Sequence, residues 1–157
     1  MYRNGWADGE GRGSRAAYDG CVINYEPDAR ATVSEPIRRA LSHSGLIDIT
    51  TIGRKSGQPR RIEIVYHVLD GHIYISGQPR QRRRSWLANL DANPRFTVHL
   101  KRGLVADVPA SARIIDDADE RREVMRRIIE TAWHGMDLEA MVAWSPLIEV
   151  NVEGLAA

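Results

Sequence analysis

The chain is short of cysteine, of long apolar runs and of net charge, and each shortage removes a class of protein. Cys21 is the only cysteine among 157 residues, so no internal disulfide framework can form, which fits a reducing compartment. No apolar stretch approaches the roughly 20 residues that a bilayer crossing requires. The opening residues, 1–13, are polar and Gly-rich, without the apolar centre of a secretory signal. A cytoplasmic protein is expected, with contact to a membrane surface as the alternative. A net charge of +1 supplies no global field for nucleic acid, and with only 6% aromatic residues the basic clusters carry no interleaved stacking platforms. No nucleic-acid partner is expected. The five histidines (His43, His67, His72, His99, His134) lack ligand spacing, and no acid or cysteine pattern completes a metal set. Neither a metal nor a nucleophile elbow is expected.

What the chain does have is local concentration of positive charge. Residues 48–62, Asp-Ile-Thr-Thr-Ile-Gly-Arg-Lys-Ser-Gly-Gln-Pro-Arg-Arg-Ile, read as two extended segments around a tight basic turn. Ile47, Ile49 and Thr51 alternate on the way in, and Ile62, Ile64, Tyr66 and Val68 on the way out. Arg54, Lys55, Ser56, Arg60 and Arg61 crowd the turn with no acid before Glu63. Backbone N–H groups in such a Gly-containing turn can form a concave anion site. Arg adds a bidentate fork and Lys a mobile point charge. A solvated hairpin tip is the plain alternative. A P-loop is excluded, because the glycine–lysine spacing is wrong and a strand follows where a helix is required. A second basic run, Arg80-Gln-Arg-Arg-Arg84, is open to the same two readings and to a third, a nucleic-acid or anionic-surface binding module that contacts RNA or anionic lipid.

At 157 residues one domain is expected, with residues 1–32 as a mobile arm and 33–153 as the folded body. A short helix should start at Ser34-Glu-Pro36, present Ile37, Ala40 and Leu41, and stop at Gly45. Asp70-Gly71 is a two-residue hairpin signal. An irregular loop over 77–84 leads to a helix over 85–92, ended by Asn93-Pro94. Phe96, Val98 and Leu100 alternate in a strand that turns at Lys101-Arg102-Gly103 into a strand over 104–108, and Pro109 predicts a break before 110–115. Asp116 or Asp117 caps an amphipathic helix carrying Met125, Ile128, Ile129 and Ala132. A short helix around Leu138, Met141 and Val142 ends at Ser145-Pro146, before a closing strand over 147–152. Strands interrupted irregularly by helices argue against a doubly wound sheet and for a small barrel. The fold class is therefore α+β, a split β-barrel of six to seven mostly antiparallel strands with packed helices.

Four motifs in consistent order then carry a likeness. The segment 50–60, Thr-Thr-Ile-Gly-Arg-Lys-Ser-Gly-Gln-Pro-Arg, resembles the signature of the deazaflavin-dependent nitroreductase family, the split-barrel flavin/deazaflavin oxidoreductases. Residues 70–77 (Asp-Gly-His-Ile-Tyr-Ile-Ser-Gly), 85–96 (Ser-Trp-Leu-Ala-Asn-Leu-Asp-Ala-Asn-Pro-Arg-Phe) and 145–150 (Ser-Pro-Leu-Ile-Glu-Val) resemble its next strand, its tryptophan-and-asparagine helix and its closing strand. The resemblance implies an FMN-binding-like split barrel that holds the deazaflavin coenzyme F420, with FMN binding, or coenzyme binding without turnover, as the alternative. It implies an enzyme passing hydride from reduced coenzyme to a nitroaromatic, quinone or activated alkene. Arg54, Lys55, Ser56 and Arg60 would hold the phosphate. Ser76, Gly77, Gln78 and Pro79, with Trp86, would border the ring, and Arg80 would reach the acidic tail. The loop departs from the family's Gly-rich pattern in its run of arginines. A homodimer is a weak implication of the family.

Other side chains admit two readings. Trp86 either walls the pocket or pins its helix to the barrel. Tyr66 belongs to an apolar strand face, yet its hydroxyl at a strand end could serve as a proton donor or touch substrate. Trp133, Met136, Met141 and Trp144 read either as core or as the wall of a pocket for a flat acceptor. Hydride transfer needs no protein nucleophile, since the coenzyme carries the chemistry, which accounts for the absence of a conventional catalytic set.

Overall fold

A computed structural model of the protein describes residues 23–24 and 32–155. Most of the expected arm over 1–32 therefore lies outside the described residues. The part within them is Thr32 and a two-residue strand, β1 (Ile23–Asn24), parallel to Ala106 and Asp107. The elements that follow are α1 (Glu35–Ala40), β2 (Gly45–Ile52), β3 (Pro59–Leu69), β4 (His72–Ser76), α2 (Ser85–Ala92), β5 (Arg95–Leu100), β6 (Ala106–Ile114), α3 (Ala118–Thr131), α4 (Leu138–Trp144) and β7 (Leu147–Val152).

Strands β2 to β7 close on themselves in the order β6-β5-β2-β3-β4-β7, with β7 pairing back to β6. Every one of these pairs is antiparallel. The result is the α+β split barrel expected from the alternating segments. Closure leaves no long free edge between these strands. Alternation fills the inside: Ile47 and Ile49 of β2 meet Phe96 and Val98 of β5, Val108 and Ala110 of β6, Ile73 and Ile75 of β4, and Ile148 and Val150 of β7. The β3–β4 turn shows why register is fixed. Asp70 (φ 51°) and Gly71 (φ 82°) both take the left-handed conformation, which sets Leu69 opposite His72.

Two local expectations are corrected, and the choice between two cap residues is resolved. Gly45 does not stop α1 but opens β2, and Leu41 caps α1, whose N-cap Ser34 makes no side-chain bond. Asp117, not Asp116, caps α3, accepting from the Glu120 N–H. Pro109 does not break the strand, because β6 is continuous from Ala106 to Ile114. Pro109 stands opposite Thr97 of β5, while its carbonyl accepts from Glu153 N just beyond the end of β7. Its missing N–H thus faces the side where the β7 ladder has ended, and no bond to β5 is lost.

A second apolar layer lies outside the barrel. Val124, Met125 and Ile128 of α3 and Met141 of α4 cover Leu69 and Leu147, with Tyr74, Trp133 and Met136 packed at the margin. Arg121 fastens this layer. Its guanidinium donates to the carbonyls of Ile115, Val142 and Ser145 at 2.7–3.0 Å, tying α3 to the end of β6 and the C-terminal turn of α4. Arg127 of α3 reaches Asp70 at the β3–β4 turn, 2.8 Å away.

Antiparallel order decides where function can gather. The end of β2, the start of β3, the end of β4 and the start of β5 share one end of the barrel. Both basic stretches and α2 connect those strands, so the topology brings them together.

Candidate functional site

The β2–β3 connection is a tight turn closed by its own backbone. Gly53 N donates to Gln58 O at 2.8 Å and Gly57 N to Gly53 O at 2.7 Å. Gly57 sits at φ 67°, a conformation that glycine adopts without steric cost. A Cβ on Gly53 would fall 2.5 Å from Ser56 Oγ and 3.2 Å from Gln58 O, so this glycine is needed for close approach. Ser56 Oγ accepts from Gln58 N at 3.2 Å, which leaves its hydroxyl proton free for an outside acceptor.

The turn faces the 80–84 loop and α2 across a cleft of about 1340 Å³, lined by Thr51, Gly53, Arg54, Lys55, Ser56, Pro59, residues 60–62 and residues 80–86, with Asn89. Eight of the lining side chains are basic (Arg54, Lys55, Arg60, Arg61, Arg80, Arg82, Arg83, Arg84) and none is acidic. Arg61 pairs with Asp48 and Arg83 with Asp91, each at 3.0 Å. The other six have no carboxylate partner among the described residues. So many like charges around one cavity repel each other and raise its positive potential, a field that an anion relieves.

Arg84 carries a further sign of an absent acceptor. It occupies the N-cap position of α2 and folds back over Gly77, where a Cβ would meet its guanidinium at 3.1 Å. One Nη donates to Gln78 O at 3.0 Å, but the buried Nε has no hydrogen-bond partner among the described residues. Burial, with neighbouring Arg80, lowers its pKa from the usual value. A buried donor of this kind costs free energy until an acceptor reaches it. The 80–84 loop is anchored by Arg80 N, which donates to Trp144 O at 3.2 Å.

The structure brings together Arg54, Lys55, Ser56, Arg60, Arg80 and Trp86 of the residues singled out from sequence. Trp86 both lines the cleft and packs in the barrel core at 8% exposure. Gly77 and Gln78 adjoin the site through Arg84 rather than through the cleft wall. Ser76 points the other way, its hydroxyl donating to Pro146 O at 2.7 Å beside Met125. Pro79 is not in the lining. Tyr66 is core, its hydroxyl donating to Ala40 O at 3.0 Å, and burial raises its pKa. Of its two readings the structure shows the core one, with the hydroxyl tied to α1. Trp133 and Met136 belong to the outer layer, where Trp133 meets His67 edge-on at 5.0 Å. They do not line this cleft.

Sequence reasoning missed Thr51 and undervalued Asn89. Asn89 Oδ1 accepts from Arg54 N and Asn89 Nδ2 donates to Thr51 Oγ1, both at 3.0 Å. The available signal was the three-residue spacing from Trp86, which places both on one helical face. Among the described residues no group of three or more His, Cys, Asp or Glu side chains could hold a metal ion, and no helix is long and apolar enough to cross a membrane.

A closed antiparallel barrel with helices packed on it, and a basic cleft beside a tryptophan at one end, is a split-barrel architecture. Residues 27–153 match the family described as F420H(2)-dependent quinone reductase, and the chain belongs to that family. The likeness read from the motifs therefore holds at the level of the split-barrel reductases. No curated protein matches the chain. Among solved structures, a candidate 5-nitroimidazole antibiotic resistance protein from Bacteroides thetaiotaomicron is similar over 77% of this chain and 81% of its own, with 14% identity and a TM-score of 0.56. A conserved hypothetical protein from Mycobacterium tuberculosis is similar over 85% and 95%, with 20% identity and a TM-score of 0.56. A candidate pyridoxamine 5′-phosphate oxidase from Listeria innocua is similar over 76% and 92%, with 14% identity and a TM-score of 0.55. At these identities the likeness is one of fold.

Proposed function

We propose that the basic cleft holds reduced coenzyme F420 and that the protein is an oxidoreductase acting on a small quinone, with nitroaromatics and activated alkenes as acceptors of the same electronic type. The observation that carries this reading is the cleft lined by eight basic side chains and no acid, walled by Trp86. Its size exceeds the roughly 300–1,000 Å³ of an ordinary small-molecule site, which suits an elongated, polyanionic ligand. Arg54, Lys55, Arg60 and the Ser56 hydroxyl would hold the phosphate, and Arg80 and Arg82 the acidic tail. When bound, the coenzyme supplies a hydride donor. The residues of the chain supply placement, charge and exclusion of water. Trp86 and Ile62 give the cleft its apolar part, and Arg84 Nε offers a buried donor to a carbonyl or anionic oxygen. The cleft lining holds no carboxylic acid, imidazole or phenol, and solvent is the proton source in this reading.

Anaerobic turnover tests the reading. Reduced F420 mixed with a soluble naphthoquinone should be oxidised at a rate proportional to protein concentration, and reduced FMN should not replace it. Oxidation of reduced FMN with no response to F420 would move the function to the flavin side of the superfamily.

A further inference from the structure

We propose that Asn89, seated on Thr51, is the positioning residue that holds the basic turn open for an anion. The inference deepens the coenzyme reading and rests on it only for the identity of that anion.

The basic turn has a geometric weakness. Its two closing bonds, Gly53 N to Gln58 O and Gly57 N to Gly53 O, fix the turn on itself but not on the barrel. Arg54, Lys55 and Ser56 are exposed, so solvent competes for every donor they present. Among the described residues a single side-chain hydrogen bond from outside the turn holds its backbone, the Arg54 N–H donated to Asn89 Oδ1. Asn89 is 6% exposed and sits on α2, three residues after Trp86. Its Nδ2 donates to the hydroxyl of Thr51, itself 1% exposed, two residues before Gly53. One amide therefore grips the strand before the turn and the first residue after its glycine, fixing both to the helix that carries Trp86. An amide can do this because it offers an acceptor and a donor on one rigid plane. With one bond at each amide atom directed to Thr51 and Arg54, Asn89 acts on the anion through the Arg54 backbone that it fixes. The turn that results is set before the anion arrives, so that binding orders fewer groups.

The test uses inorganic pyrophosphate as probe, titrated into the full chain while the backbone amide signals of 53–57 are followed by NMR. The parent should show saturable shifts at Arg54, Lys55 and Ser56 and slow hydrogen exchange at the Arg54 N–H. Asn89→Leu and the isosteric Thr51→Val should each weaken pyrophosphate roughly tenfold or more, because each leaves a buried polar partner unpaired. Combined, they should cost little more than either alone. Thr51→Ser, which keeps the hydroxyl, should bind as the parent does. Thermal melts identify any variant that has lost its fold, and Thr51→Val supplies the answer if Asn89→Leu is one. Parental pyrophosphate affinity in both variants would overturn the inference, as would a parent that gives no response at the turn. If pyrophosphate binding depends on Asn89 while F420 does not bind, the coenzyme reading fails and the positioning role stands.

Discussion

Replacing His67 by leucine should make the protein less sensitive to mild acid, and the size of the change can be worked from its surroundings. His67 lies on the outer face of β3 at 1% exposure, edge-on to Trp133, and its Nε2 has no hydrogen-bond partner among the described residues. Burial lowers its pKa from 6.5 to about 4. Above pH 6.5 the ring is neutral whether the chain is folded or not, and it contributes no pH dependence. Below 6.5 the unfolded chain takes up a proton that the folded protein refuses until about pH 4. The unfolded state binds more protons in that window, so stability falls as pH falls. The whole effect is about 3 kcal/mol, of which about 1.5 kcal/mol appears between pH 6.5 and about 5. Carboxylates whose folded pKa values are depressed by basic partners, such as Asp48 beside Lys101 and Glu120 beside Arg113, lose their contribution only lower, as pH falls through their ordinary values of 3.8 and 4.5. Urea unfolding of parent and His67→Leu at a series of pH values isolates the term, because every other group is common to both. The parent should lose about 1.5 kcal/mol more than the variant over the upper interval. Parallel stability curves would refute the reasoning and mean that water or a rearranged partner reaches the ring.

The same physical reading yields three further expectations. Arg121→Ala strips its partner from three carbonyls at the meeting of α3, α4 and β6. It should cost about 2–4 kcal/mol by chemical denaturation, and Arg121→Lys should recover only part, having no planar fork. Gly53→Ala drives a methyl against Ser56 Oγ and Gln58 O, so coenzyme affinity should fall roughly tenfold with only a small change in melting temperature, the strain being confined to the turn. Coenzyme binding should weaken steeply with added salt, as expected when partly exposed cations hold a polyanion. An affinity insensitive to salt in a titration series would remove the basic side chains from the binding account.

How much could be read in the sequence depended on whether a feature was local. The helix over 85–92 and the strand over 147–152 were legible to the residue, because their limits are written in neighbouring Asn-Pro and Ser-Pro pairs. The Asp70-Gly71 turn was legible because its conformation is a property of two residues. Pro109 was misread, since its place in β6 depends on which neighbouring strand its N–H would have faced, a fact of pairing and not of composition. The basic turn announced itself by charge, but its meeting with the 80–84 loop required the strand order. Ser76 and Tyr66 show the limit of the method. Alternation along a strand shows that two faces exist, and only the placement of α1 and of the Pro146 carbonyl before β7 decides what each hydroxyl touches. Asn89 looked like one polar residue on a short helix, and its role appears only when Thr51 and Arg54 are brought to it from 38 and 35 residues away.

The central claim is that the cleft between the basic turn and α2 is a site for F420, and the most direct measurement is the dissociation constant of that coenzyme, by fluorescence titration, in the parent and in Lys55→Ala/Arg60→Ala. Submicromolar binding in the parent, weakened roughly a hundredfold or more by the double substitution with no change in thermal stability, is the result expected of charge-assisted contacts to a phosphate. Equal affinity in both proteins, or tight FMN binding with no response to F420, would contradict it.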